Sequence, residues 1–245
     1  MRAARGAGDE LMLGRALNLL GVVCKDLGHF RRSESCYRRA LPIFERAFGE
    51  EHPSLATLYH NLGGVLYAQG RWPSAEYLTR RAVALRRAAL GGEHRDVIAD
   101  QACLAAILAA RGKHAEAETL YRRAIRFFAT RCRVGYEVAI NSSNLAVLLA
   151  SMGRHRAAES NYQRAIRLYR AMPSAPPHDL ALALYNLGAL RAAVGRPSAA
   201  RLLKEAYGLF LGALGPRHPL TRESRRRLAA VRPSSAKRST HGCSA

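Results

Sequence analysis

The sequence predicts an all-α protein built as an α-solenoid of helical hairpins, and three observations carry that reading. The stretch from Leu58 to His94 holds two apolar-periodic runs joined by Gln69-Gly70-Arg71, with Gly91-Gly92 closing the second. The same small and turn residues stand 42 positions earlier (Gly28 for Gly70, Glu34 for Glu76, Ala40 for Ala82, Gly49 for Gly91, His52 for His94) and again 42 positions later as Gly112, Glu118 and Ala124. A fixed period of this length marks a repeat architecture in which each hairpin packs only on its neighbours. Finally, apolar residues make up 49% of the chain with only 7% aromatic, and the excess is alanine and leucine, both strong helix formers.

Each element follows from this spacing. Residues 1–8 are small and basic and read as a flexible arm. A first helix is expected to start at Asp9-Glu10, where acidic side chains suit the positive end of the helix dipole, and to turn at Gly28. Its partner runs to Gly49, a left-handed cap, and Pro53 then suits the first turn of the next helix. The array so defined spans 9–231, with repeats near 9–49, 53–91, 95–130, 134–170 and 178–214. The segment 219–231 begins a sixth repeat without a second helix. It is expected to cap the stack, with an apolar side left open to self-association. Residues 232–245 (RPSSAKRSTHGCSA) have the composition of a disordered basic tail.

Two antiparallel helices approach closely only where small side chains meet. Each repeat supplies such a set: Gly21, Ser33 and Ala40; Gly63, Ala75 and Ala82; Ala105, Ala117 and Ala124; Ala146, Ala158 and Ala165; Gly188, Ala199 and Ala206. A leucine precedes the first member of each set, and Tyr37, Tyr121 and Tyr162 fill the space one turn away.

These residues, with Asn61-Leu62-Gly63, Ala75-Glu76, Arg80-Arg81-Ala82 and the junction Leu90-Gly91-Gly92-Glu93-His94, resemble the tetratricopeptide repeat (TPR) in the 42-residue form of kinesin light chains. The resemblance covers about residues 14–231. It implies a right-handed superhelix of about five repeats plus the C-terminal capping helix, with first helices lining a concave groove that binds peptides. Carried over position by position, the groove residues are Arg15, Asn18, Lys25, Thr57, His60, Asn61, Tyr67, Ser143, Asn144, Ser151, Tyr185 and Asn186. Asn61, Asn144 and Asn186 stand nine residues before their turn glycines. An amide both donates and accepts, so such a row can hold a peptide backbone without demanding its sequence; the competing reading has it bond neighbouring helices. In repeat three, Cys103 breaks the row and Ala99, Ala102, Ala106 and Ala109 make a smooth floor. The pattern departs from the family at residues 130–136, which lose the Gly-His-Pro junction, and at Arg191, which takes a normally apolar position.

The net charge of +21 is almost wholly arginine and attracts acidic partners. The doublets Arg38-Arg39, Arg80-Arg81 and Arg122-Arg123 form an outer ridge, read either as a solvated face paired with glutamates one turn earlier or as a surface for an acidic partner or nucleic acid. His52, His94 and His218 at the junctions read as turn caps rather than metal ligands. Five cysteines without CxxC spacing (Cys24, Cys36, Cys103, Cys132, Cys243) read as reduced thiols. No catalytic or phosphate-binding motif appears, and no cofactor or metal is expected. No apolar run of about 18 residues exists to span a membrane. Asp9 and Glu10 interrupt any targeting pattern, which leaves a cytoplasmic setting as the expectation. The function read from the sequence is therefore a non-catalytic adaptor for a protein or peptide partner, acidic at its flanks. Its alternatives are a nucleic-acid-associated protein and the regulatory arm of a larger signalling protein.

Overall fold

In the computed structural model the described residues are 2–132 and 135–231, with side chains from residue 8 onward. The basic tail expected at 232–245 lies outside them. The described elements are helices: α1 (Arg2–Asp26), α2 (Phe30–Phe48), α3 (Ser54–Ala68), α4 (Trp72–Leu90), α5 (Arg95–Ala110), α6 (His114–Phe127) continued by a π-helical turn (Phe128–Cys132), α7 (Gly135–Ser151), α8 (His155–Arg170), α9 (Pro177–Ala193), α10 (Ala199–Leu214) and α11 (Pro219–Ala230). Helix α1 begins at Arg2 rather than at Asp9, so the flexible arm expected at 1–8 is helical in its backbone. Ala3, Ala4 and Ala7 ahead of Asp9 favour that extension.

The chain divides after residue 133 into two compact units. In the first, α1–α2, α3–α4 and α5–α6 are antiparallel hairpins, with α2 packed on α3 and α4 on α5. In the second, α7–α8 and α9–α10 are hairpins, α8 packs on α9, and α11 packs on α10.

One hydrogen-bond pattern closes every hairpin. The residue after the turn glycine donates its N–H five residues back, from His29 to Cys24 at 2.8 Å and from Arg71 to Leu66, Lys113 to Leu108, Arg154 to Leu149 and Arg196 to Arg191 at 2.9 Å. The glycine itself donates three residues back. This is the Schellman motif, and it needs a residue at positive φ; Gly70, for instance, has φ 76°. The junctions between repeats are built differently. Gly49 has φ 85° and ψ 158°, so it is not the left-handed cap expected but an extended conformation open in practice to glycine alone. Three residues on, the His94 ring nitrogen accepts from the Asp96 N–H at 3.2 Å, as His52 does from Ser54 and His218 from Leu220. Turn capping is thus the role of all three histidines. Between Phe127 and Cys132 no glycine stops the helix, and α6 runs on into the π-helical turn.

The small-residue sets occupy the helix crossings. All fifteen members are buried, and a Cβ added at Gly21 would sit 2.6 Å from the Tyr37 ring. Ser33 replaces an alanine without penalty because its hydroxyl donates to the Gly21 carbonyl at 2.6 Å. Tyr37, Tyr121 and Tyr162 are buried as expected. The preceding leucines are buried in repeats two to five, whereas Leu20 is 40% exposed.

Two outcomes follow for stability. Ala124→Leu overpacks the α5–α6 crossing and should cost about 1–3 kcal/mol in urea unfolding. His94→Ala removes a cap and should cost about 1 kcal/mol, while His94→Asn, which keeps an acceptor, should recover most of it.

Candidate functional site

In the first unit the first-helix faces bring several predicted groove residues together. Arg15, Asn18 and Thr57 line one hollow of about 300 Å³ with Phe44 and Phe48. The Asn61 amide donates to the Asn18 side-chain oxygen at 3.3 Å, so part of its capacity is spent joining α3 to α1. Its own carbonyl oxygen stays available. Tyr67 is exposed and Lys25 half-buried, and the charges of Lys25 and Arg86 lie within electrostatic reach of Cys103.

At the centre of this face is a network that the sequence reading missed. Asp100 is 1% exposed and would be costly to bury alone. Arg86 compensates it through contacts of 2.7 and 2.6 Å from one guanidinium nitrogen to the two carboxylate oxygens, and its other terminal nitrogen donates to the Thr57 hydroxyl at 3.2 Å. The His60 Nδ1 lies 2.7 Å from Asp100. Thr57 is therefore held by this pair, and His60 packs against it rather than standing free in an open groove. The available signal was a lone aspartate inside the apolar run Val97–Ala110. Of the alanines expected as the floor of repeat three, on the same helix, Ala99 is exposed and Ala102, Ala106 and Ala109 are half-buried.

In the second unit, α7 and α9 carry the remaining predicted residues. Asn144 is exposed and Asn186 half-buried, and neither forms a hydrogen bond among the described residues. Ser143 beside Asn144 has a buried hydroxyl without a partner. Ser151 is turned inward on its own helix, donating to the Leu148 carbonyl at 2.7 Å. The Tyr185 hydroxyl approaches Glu223 of α11 at 3.4 Å while its ring meets Phe210 edge-on. A further tyrosine, Tyr136, donates to Asp179 at 2.8 Å; burial and that carboxylate push its hydroxyl up to about 12.

Among the described residues no group of three or more His, Cys, Asp or Glu is placed to hold a metal, and no helix is long and apolar enough to cross a membrane. Comparison with curated proteins gives no match. The tetratricopeptide repeat family matches residues 12–88, 56–130 and 101–171. The chain belongs to the tetratricopeptide repeat family. Solved TPR structures extend the likeness over the whole array. A kinesin light chain-like repeat protein of Podosopora anserina is 21% identical with a TM-score of 0.65, over 83% of this chain and 96% of that one. BtubC (BKLC) from P. vanneervenii is 21% identical with a TM-score of 0.62, over 100% and 98%. The Rap protein complexed with competence and sporulation factor is 16% identical with a TM-score of 0.67, over 87% and 63%. At these identities the likeness is one of fold.

The arginines of this TPR chain are heavily used within it. The first member of each doublet pairs with the glutamate one turn earlier: Arg38 with Glu34 at 2.9 Å, Arg80 with Glu76 at 2.9 Å and Arg122 with Glu118 at 2.7 Å. The second member reaches back to the preceding junction, Arg81 to Glu51 at 3.1 Å and Arg123 to Glu93 at 2.6 Å. Two of these glutamates, and Glu159 at the equivalent place in repeat four, also bind the cation after the next repeat's turn glycine. Glu34 takes Arg71 at 2.7 Å, Glu76 takes Lys113 at 2.8 Å and Glu159 takes Arg196 at 3.0 Å. Arg191 stands where repeats two to four have the core leucines Leu66, Leu108 and Leu149, and it too donates to Glu159, at 2.6 Å. The ridge is thus largely an inter-repeat ion-pair ladder. Arg126 and Arg131, which line a hollow of about 490 Å³ on α6 and its π-helical turn, form no ion pair among the described residues.

Glu76 is the most buried rung. Burial alone would raise its carboxyl, but Lys113, Arg80 and Arg111 donate to it and hold it down at about 2, from an ordinary 4.5. A carboxylate depressed in the folded state stabilises fully above its unfolded value, and that stability is lost as pH falls toward the folded value. The urea midpoint should therefore drop between pH 4.5 and about 2. Glu76→Gln should flatten the profile in that window and cost about 1–3 kcal/mol at neutral pH; an unchanged profile would remove the assignment.

Proposed function

We propose that the chain is a non-catalytic interaction module that holds an extended peptide segment against its first-helix faces. The observation that carries this reading is the uncommitted amide of Asn144 and Asn186, one repeat apart on α7 and α9 and without hydrogen bonds among the described residues. A side-chain amide reads backbone N–H and C=O groups alike, so two in series favour an extended chain over a particular sequence. Asn61 contributes its free carbonyl oxygen in the first unit. Lys25, with no carboxylate at ion-pair distance among the described residues, biases the ligand toward acidic flanks, and the net charge of +21 steers such ligands in. The Rap structure was solved with competence and sporulation factor; because the likeness to it is one of fold, the peptide reading here rests on these side chains. The pairing of the ridge arginines with glutamates weighs against the nucleic-acid reading.

Peptides selected from a display library against the whole chain test this. They should be enriched in Asp and Glu at the flanks. The Asn144→Ala/Asn186→Ala variant, with two hydrogen bonds lost at about 1 kcal/mol each, should bind them about tenfold or more weakly. Undiminished binding by that variant and by Asn61→Ala contradicts the proposal. So does capture of single-stranded nucleic acid with a steep salt dependence in place of peptide.

A further inference from the structure

Helix α1 is apolar on two sides, and only one of them is covered. Leu17, Gly21 and Cys24 are buried, whereas Met12, Leu13, Leu19, Leu20, Val23 and Leu27 are 68%, 49%, 66%, 40%, 53% and 65% exposed. At 100° per residue these six and Ala16 fall within an arc of about 120°, the width of stripe by which a helix attaches to a core. The next repeat shows what such a stripe does. Leu55, Leu58, Leu62 and Val65, each 42 positions after Leu13, Ala16, Leu20 and Val23, are 0%, 1%, 2% and 0% exposed, with the preceding hairpin's α2 packed on α3. The uncovered face is therefore a repeat-stacking face. The open apolar side expected on 219–231 is not found at that end, because α11 exposes mainly arginine and, among large apolar residues, Leu220. Residues 232–245 hold no large aliphatic or aromatic residue.

We propose that the α1 stripe is a homodimer interface, in which α1 of a second copy packs antiparallel against it about a two-fold axis. The stripe reads the same from both ends. Pairing residues whose numbers sum to 39 puts Met12 against Leu27 of the second copy, Ala16 against Val23 and Leu19 against Leu20, apolar on apolar at these three levels. Such a contact uses one surface twice, as an isologous interface must. The charges fix the direction. Arg15 and Asp26 stand on the same edge of the stripe, both exposed and without ion-pair partners among the described residues. In an antiparallel pair the same edge of each helix meets, so Arg15 of each copy faces Asp26 of the other. In a parallel pair opposite edges meet, which leaves Arg15 and Asp26 of the two copies apart and without this complementarity. The net charge of +21 opposes association, but charges beyond about 8–10 Å are screened at physiological salt and the stripe itself carries none.

Light scattering on the full chain should give twice 26.9 kDa at micromolar concentration. Leu19→Glu/Val23→Glu should give the monomer mass with its helical circular dichroism retained, since both side chains are exposed within one copy. Arg15→Asp should weaken the dimer, and Arg15→Asp/Asp26→Arg should restore it. On oxidation Leu20→Cys should form a covalent dimer that the wild type does not, and Met12→Cys should not. A wild type that stays monomeric, a dimer indifferent to Leu19→Glu/Val23→Glu, or cross-linking of Met12→Cys to itself overturns the proposal.

Discussion

The steric constraint at the helix crossings governs the rest of the molecule. Where the two helices of a hairpin cross, their separation leaves no room for a branched side chain; at Gly21 even a single carbon would stand 2.6 Å from the Tyr37 ring. Close approach lets a tyrosine or leucine from one helix lie flat over the backbone of the other. The buried core of each hairpin then forms from alanine and leucine with few aromatics. Once the crossings are set, the Schellman turns need only one positive-φ glycine each, and the outward faces of the first helices are released from packing duties. That release is what makes side chains such as Asn144 available for recognition.

Charge is the second organiser, and it acts between repeats rather than within them. Glu34 and Glu76 each bind an arginine one turn along their own helix and a cation just past the next turn glycine. An isolated exposed pair of this kind stabilises by well under about 1 kcal/mol, but Glu76 is 5% exposed and receives three cations. Breaking that rung strands buried charge, so its contribution lies in fixing the register of one hairpin on the next. The arrangement also reconciles a net charge of +21 with a folded chain, since the arginines nearest one another share carboxylates. The asymmetry in Arg126, Arg131 and Lys25 is what an acidic partner would meet.

Much of this was legible in the sequence because it follows from local chemistry repeated at a fixed spacing. The small-residue sets, the turn glycines and the junction histidines each announce one backbone requirement, and the 42-residue repeat multiplies the signal. What was not legible depends on which residue of one helix meets which residue of another. Asp100 drew no reading in the sequence, and only the arrival of Arg86 from α4 makes it the anchor beside His60 and Thr57. Arg191 looked like a defect until Glu159 of the preceding hairpin met it. The Asn61 amide faced two readings, and its bond to Asn18 shows a share of the second. The conformation at Gly49 escaped for a different reason: positive φ is readable from glycine, whereas ψ is set by the histidine cap three residues on. Leu20 obeys the repeat in sequence and departs from it in burial, because a stacking face is buried only where something stacks.

Where a bound ligand touches the chain decides between groove and ridge. Hydrogen–deuterium exchange with and without a selected peptide reads that directly, helix by helix. Protection concentrated on the first helices, around Asn144 and Asn186 on α7 and α9 or around Asn18 and Asn61 on α1 and α3, is the predicted result. Protection confined to the arginine-bearing second helices α2, α4 and α6, with the first helices unchanged, would contradict it.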